Sequence, residues 1–411
     1  MKHYVESYGC TMNFGEGEQL SERMSGMGYS EAESAEEADI VILNTCTVVE
    51  ATEKKMVKRM TELRNLGKEV IVTGCMAEVQ PGRIAVRLPG SLVITPKNYS
   101  DFSEKVGNRY GQSAPSEHRK TSVSAILPVA QGCLGACTYC ITRFARGKLK
   151  SYPEEELIKE FRKKIDGGAK EILITSQDTV CYGADSGTDL SVLLKRMLEK
   201  DGDYRVRIGM MNPCRIPPVL DGLLEVFEDP RVYRFLHIPL QSGSDDILKA
   251  MGRGYTAGEY IELVKKIRSV YPDMSISTDM ITGFPGETEE DHRMSAEILK
   301  KLRADTVNIT RFSPRPGTKA AEMEQVNGRI AKERSAELTE IKNKICLENN
   351  RKTVGKTFRI LVTEKGKDGS VIARTDSYRP VGIAEGLPLG TFAEAEITGC
   401  KPTHLIGKIV I

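Results

Sequence analysis

The chain has 411 residues, with 59 Lys and Arg against 57 Asp and Glu, ten cysteines and no tryptophan. A net charge of +2 excludes binding to nucleic acid by bulk positive charge, so any RNA contact must come from local clusters. The start MKHYVESYGC has no charged-then-apolar leader, and no run of about 18 apolar residues occurs, so the expectation is a cytoplasmic protein with no membrane contact.

Over residues 1–110, short apolar runs alternate with helix-like stretches: KHYVESY, a polar helix near Glu16 to Met27, DIVILN, a charged helix from Val49 to Leu66, EVIVTG, a short helix near Ile84, and SLVITP. Such alternation predicts a parallel sheet with helices on its faces. Residues 111–124 are polar and lack periodicity, which reads as a linker. Residues 125–328 repeat the alternation, with strand candidates at AILPVAQ, KEILITS, YRVRIGM, RFLHIPL, MSISTDMI and DTVNITRF. Six strand–helix units suit a partial (β/α)6 barrel, whose functional groups sit at the C-terminal ends of the strands. Residues 329–353 read as a charged connecting helix, and residues 354–411 as short β-like runs broken by Gly and Pro, which predict a small all-β barrel. The expected fold class is α/β, with a β-barrel at the C-terminal end.

Two groups of three cysteines stand out. Cys133, Cys137 and Cys140 form a C-x3-C-x2-C just after the first barrel strand. Three thiolates on one loop can bind three irons of a cubane cluster, whose usual complement is four cysteines, so one iron is left open. A zinc site with an unseen fourth ligand and three unrelated thiols are the alternatives. In the first block, Cys10, Cys46 and Cys75 each follow one of the three strands (YVESYGC, IVILNTC, VIVTGC). Parallel topology brings all three to one sheet edge, where open α/β sheets hold ligands. Cys181, Cys214, Cys346 and Cys400 match neither set.

With Tyr139 at its aromatic place, the loop resembles the C-x3-C-x-aromatic-C motif of the radical S-adenosylmethionine superfamily. The first block resembles the N-terminal domain of the methylthiotransferases, through Gly9-Cys10-Thr11-Met12-Asn13, Asn44-Thr45-Cys46-Thr47-Val48 and Thr73-Gly74-Cys75-Met76-Ala77. Val49 departs from it, since many bacterial members carry Arg there. The last block resembles the TRAM domain, a small RNA-gripping β-barrel. The resemblance implies two [4Fe-4S] clusters, one on Cys133, Cys137 and Cys140 and an auxiliary one on Cys10, Cys46 and Cys75, together with S-adenosyl-L-methionine.

Cofactor contacts are expected from strand-end residues. These are Ser176 and Gln177 in TSQD, His237, Gln241 and Ser242 in HIPLQSGS, Arg253 as a bidentate partner of the cofactor carboxylate, Asp279 and Gly283 in STDMITGFPGE, Tyr139, and Phe312 in FSPRPGT, which resembles the family's YSPRPGT. A strand histidine such as His237 is also an ordinary core residue. Glycines near Gly283 let the backbone approach a ligand. Arg143, Arg146, Lys148 and Lys150, and the nine Lys and Arg against four Glu from Gly328 to Ile360, are candidate phosphate contacts. Phe358, Tyr378 and Phe392 are candidate base-stacking groups or barrel core.

The implied reaction is radical methylthio insertion at C2 of an adenosine next to the tRNA anticodon, with a sulfur donor and an electron donor as partners and a monomeric enzyme. The strings GCLGACTYCITRFARG, SQDT and RIGMMNP look most like the archaeal and eukaryotic threonylcarbamoyladenosine branch. Isopentenyladenosine in tRNA and a ribosomal-protein aspartate are the competing substrates. A radical enzyme without sulfur insertion and a non-catalytic iron–sulfur RNA-binding protein are the alternatives of other kinds.

Overall fold

The computed structural model describes residues 1–112, 114–115 and 122–410; half of the expected linker, residues 113 and 116–121, lies outside the described residues. In the first block, β1 (Lys2–Ser7), β2 (Ser30–Glu31), β3 (Ile40–Thr45), β4 (Glu69–Gly74) and β5 (Leu92–Val93) form a parallel sheet in the order β2-β1-β3-β4-β5. Every residue of β3 is buried because successive side chains enter opposite cores. Val41 and Leu43 pack with Met56 and Met60 on one face, while Ile40 and Ile42 pack with Leu20, Met24 and Phe102 on the other. Helices follow β1, β3 and β4 at Thr11–Gly26, Glu50–Asn65 and Cys75–Val79.

In the second block, β6 (Ser124–Pro128) leads into β7 (Ala130–Gln131), which pairs with β8 (Lys150–Ser151) at the foot of the Cys133–Cys140 loop. Five more strands follow: β9 (Glu171–Thr175), β10 (Arg205–Arg207), β11 (Phe235–His237), β12 (Ser275–Thr282) and β13 (Thr306–Arg311). Parallel pairing gives β10-β9-β6 and β11-β12-β13, and a parallel bridge from Val206 to Val232 joins the halves into the expected partial barrel. An open barrel has two exposed strand edges, which invite unwanted pairing unless covered. The helix Thr11–Gly26 packs against β6, and the helix Gly328–Arg351 against β13. Gly15 makes the first of these contacts possible: a Cβ there would stand 2.6 Å from Ile126 Cγ2.

The last block is a closed barrel of β14 (Thr357–Lys365), β15 (Val371–Thr375), β16 (Pro380–Ile383), β17 (Phe392–Cys400) and β18 (Leu405–Ile409), filled by Ile360, Val362, Val381, Ile383 and Ile397 among others. It docks on the residues that begin β10 and β11. Arg205 pairs with Asp376 at 2.9 Å, the Arg234 amide donates to the Asp376 carbonyl at 2.8 Å, and the Tyr378 ring lies 4.8 Å from Tyr233 and 5.0 Å from Phe235. Phe392 is covered by Arg205 and Arg359 at 5.0 and 4.6 Å. Tyr378 and Phe392 therefore hold the two domains together, a role that differs from both the base stacking and the barrel core expected of them. No described helix is long and apolar enough to cross a membrane.

Candidate active site

The loop that carries Cys133, Cys137 and Cys140 is pinned at both ends. Gly132 adopts φ +82, and a Cβ there would overlap the Lys148 carbonyl. Its amide donates to Gln177 Oε1 at 2.6 Å, so Gln177 braces the loop. At the far end, Thr138 Oγ1 donates to the Ala250 carbonyl at 2.8 Å, and the Thr138 amide to that of Met251 at 3.0 Å. Arg253 follows in that turn and donates to Cys137 Sγ at 3.2 Å, to Asn212 Oδ1 at 3.3 Å and to the Tyr255 hydroxyl at 3.1 Å. A guanidinium expected to clasp a carboxylate is thus directed at the Cys137 sulfur. Burial pushes the Cys133 thiol up to about 11, against the Gly135 amide that donates to its sulfur at 3.1 Å.

Tyr139 packs edge-on against Phe284, which packs against Phe312, with ring centroids 6.1 and 5.3 Å apart. Deeper in the barrel, His237 Nε2 lies 2.9 Å from Asp279 Oδ2, and Asn308 donates to Asp279 Oδ1 at 2.8 Å. Burial raises the Asp279 carboxyl, but the His237 bond and charge and the Asn308 bond outweigh it and leave the pKa below the usual value. His237 is therefore a partnered strand residue facing a carboxylate. Ser176 Oγ accepts the Asp178 amide at 3.1 Å. Ser242 is fully buried, its hydroxyl accepting the Ser244 amide at 3.2 Å and lying 3.4 Å from Ser295 Oγ. At Gly283 a Cβ would meet Ala331 Cβ at 2.5 Å, so its small size serves the packing of the Gly328–Arg351 helix.

Gln241 differs from its neighbours. Its φ of +77 places a non-glycine residue in the left-handed region, held by a bridge to Met280, and its Oε1 is buried with no hydrogen-bond partner among the described residues. An orphaned acceptor at a barrel strand end fits a ligand that brings a donor, such as a ribose hydroxyl.

Cys10, Cys46 and Cys75 cap the same edge of the first sheet, as the topology implied. Cys10 precedes the helix Thr11–Gly26, Cys46 follows β3, and Cys75 opens the helix after β4. Gly9, at φ +105, lets Cys46 come close: a Cβ on Gly9 would sit 2.6 Å from Cys46 Cβ and 2.7 Å from its sulfur. Asn13 laces the loops by donating to the Tyr8 carbonyl at 2.7 Å and the Thr45 carbonyl at 2.9 Å. Burial pushes the Cys75 thiol up to about 11, and the Arg146 charge and hydrogen bond pull against it. Buried thiols of this kind ionise when a metal takes the place of the proton. Among the described residues, no three His, Cys, Asp or Glu side chains converge closely enough for a single metal ion. The cysteines of each set are spread around a loop or a sheet edge, a donor set suited to a polynuclear iron–sulfur group that takes one thiolate per iron.

The sheet edge faces the barrel mouth. Arg146, expected as a phosphate contact, is only 3% exposed. It donates to Cys75 Sγ at 3.3 Å, to Asn13 Oδ1 at 2.7 Å and to Glu16. On the opposite side of the mouth, Arg315 of the FSPRPGT loop donates to Glu53 at 2.9 Å, and Arg83 also binds Glu53. Neither pair was read from the sequence. Of the other candidate phosphate contacts, Arg334 is buried on Glu287 at 2.8 Å, whereas Arg143, Lys148 and Lys150 are exposed.

Residues 127–309 match the radical SAM superfamily, residues 2–95 the uncharacterized protein family UPF0004, and residues 351–410 the TRAM domain. A protein named probable threonylcarbamoyladenosine tRNA methylthiotransferase from Pyrococcus horikoshii is 41% identical, with 100% of each chain covered. The threonylcarbamoyladenosine tRNA methylthiotransferase of Homo sapiens is 32% identical over 96% of this chain and 72% of its own. The chain belongs to this methylthiotransferase family. Among solved structures, the radical S-adenosylmethionine methyltransferase TsrM from Kitasatospora setae, with cobalamin and a [4Fe-4S] cluster bound, shares the fold at TM-score 0.58 and 14% identity, covering 78% of this chain and 76% of its own. In this methylthiotransferase-family chain, the radical SAM match spans the strands that present Gln241 and Asp279, while the UPF0004 match spans all three cysteines of the first sheet.

Proposed function

We propose that the chain is a cytoplasmic radical SAM methylthiotransferase that inserts a methylthio group at C2 of N6-threonylcarbamoyladenosine beside the anticodon of tRNA. The observation that carries this reading is full-length likeness to proteins of that name, combined with two cysteine triads presented to one mouth. Cys133, Cys137 and Cys140 would hold one [4Fe-4S] cluster and Cys10, Cys46 and Cys75 a second. When bound, a cluster and S-adenosyl-L-methionine supply one-electron chemistry and a radical able to take hydrogen from an unactivated carbon.

The chain's own residues prepare that chemistry. Gln177 and Thr138 fix the loop, and Gln241 offers an unpaired acceptor at the strand end. The Asp279 carboxylate holds His237 and Asn308 in the barrel interior. The first domain closes the mouth through Glu53 with Arg315 and Glu16 with Arg146, which limits water around a reactive intermediate. Exposed Arg143, Lys148 and Lys150 flank the opening and supply charge for phosphates.

Mass analysis of tRNA nucleosides from cells with and without the gene tests the substrate. Loss of the 2-methylthio derivative of threonylcarbamoyladenosine on deletion is the expected result. An unchanged level overturns the assignment, and loss of the isopentenyl derivative instead moves it to that branch. Anaerobic reconstitution should give about eight irons per chain, four for each cluster, and release of 5′-deoxyadenosine under reduction. Iron without 5′-deoxyadenosine would indicate a non-catalytic binding protein.

A further inference from the structure

Arg146 is the last residue of the short helix Thr142–Arg146 that follows Cys140, yet its guanidinium leaves its own domain and enters the first. There it is enclosed, with the Arg146 and Glu16 side chains each 1% exposed. Three of its nitrogens have partners of different kinds: a thiol sulfur of Cys75, the amide oxygen of Asn13 and the carboxylate of Glu16. A charge so buried needs a counter-charge, and among the described residues Glu16 is the carboxylate that binds it. The arrangement therefore puts the positive end of a buried ion pair against Cys75, with the negative end on the far side.

We propose that Arg146 is a positioning residue that sets the reduction potential of the cluster held by Cys10, Cys46 and Cys75. This rests on the reading that those cysteines hold a cluster. An N–H bond and a nearby positive charge at a ligand sulfur favour the more negative, reduced form, and low exposure strengthens the effect. Because Arg146 belongs to the loop that bears the other triad, the domain that binds one cluster sets the electron affinity of the other. Removing the guanidinium makes the cluster harder to reduce, and neutralising Glu16 makes it easier.

The test uses the full chain with Cys133→Ala, Cys137→Ala and Cys140→Ala, reconstituted so that only the second site can hold iron, with potentials read by EPR-monitored potentiometry. Arg146→Gln should shift the midpoint to a more negative value, Arg146→Lys should shift it less, and Glu16→Gln should shift it to a more positive value. In the complementary background, Cys10→Ala with Cys46→Ala and Cys75→Ala, Arg146→Gln should leave the other cluster's midpoint in place. A midpoint unmoved by Arg146→Gln overturns the proposal, as does a shift of the same sign for Arg146→Gln and Glu16→Gln, which would report general loosening. If Arg146→Gln does not retain the cluster, Glu16→Gln decides by its sign: positive supports, zero or negative overturns. A parent that binds no iron overturns the cluster reading itself, a failure distinct from a cluster present and insensitive to Arg146.

Discussion

The two cysteine triads reach similar ends by different routes. Cys133, Cys137 and Cys140 lie on one loop, and their arginine, Arg253, comes from the same domain. Cys10, Cys46 and Cys75 come from three separate strands, and their arginine, Arg146, comes from the neighbouring domain. The first site is a local structure that needs a braced loop. The second exists only when a parallel sheet is in register and the two domains are docked. A local site tolerates changes elsewhere, whereas an assembled one is sensitive to every contact that seats it.

Several substitutions would break or sharpen that contrast. The largest effect is on turnover. Cys133→Ala with Cys137→Ala and Cys140→Ala should abolish both 5′-deoxyadenosine formation and methylthiolation, while Cys10→Ala should abolish methylthiolation and leave cofactor cleavage in place. Chromatography of the two products separates these cases. Next in size is Glu53→Gln, which leaves the buried Arg315 without its carboxylate. Removing one partner of a buried pair costs about 3–5 kcal/mol, and because this pair joins the first domain to the barrel, the chain should melt earlier in calorimetry.

Gly9→Ala follows, since it forces a side chain into the left-handed region and against Cys46. Backbone strain of this kind costs about 1–3 kcal/mol. Its signature is selective: iron analysis should show loss from the second site and retention at the first. The smallest effect concerns Glu18, which lies where the helix Thr11–Gly26 meets β6 and accepts the Ile126 amide at 3.3 Å. Burial pushes its carboxyl up from 4.5 to about 7, with Lys164 pulling the other way. A raised carboxyl pKa means that its contribution to stability is complete below 4.5 and is lost as pH rises through about 7. Glu18→Gln should therefore raise the melting temperature at pH 8 and leave it nearly unchanged at pH 4.5, as scanning calorimetry at the two pH values would show.

The sequence was most informative where a feature repeats or is local. Alternating apolar runs announced the first sheet and the six barrel strands, and Cys133-x3-Cys137-x2-Cys140 announced the loop site. The second triad was legible through topology, because parallel strands end on one edge. Contacts across domains were not legible: Arg146 and Glu16 are 130 positions apart and Arg315 and Glu53 are 262, and no periodicity marks such partners. Arg146 was misread as a phosphate contact because it stands in a basic stretch. Tyr378 and Phe392 were ambiguous, since stacking and docking ask for the same side chains.

The C-terminal barrel sits at the N-terminal ends of the strands, whereas both triads lie at the opposite end. The eight-residue β12 is about 26 Å long at 3.3 Å per residue. The helix Gly328–Arg351 that spans the gap has 24 residues, a length of about 36 Å. The TRAM domain and the two cysteine triads therefore stand at opposite ends of the strands, and the long helix fixes the distance between them as a strut fixes the span of a frame.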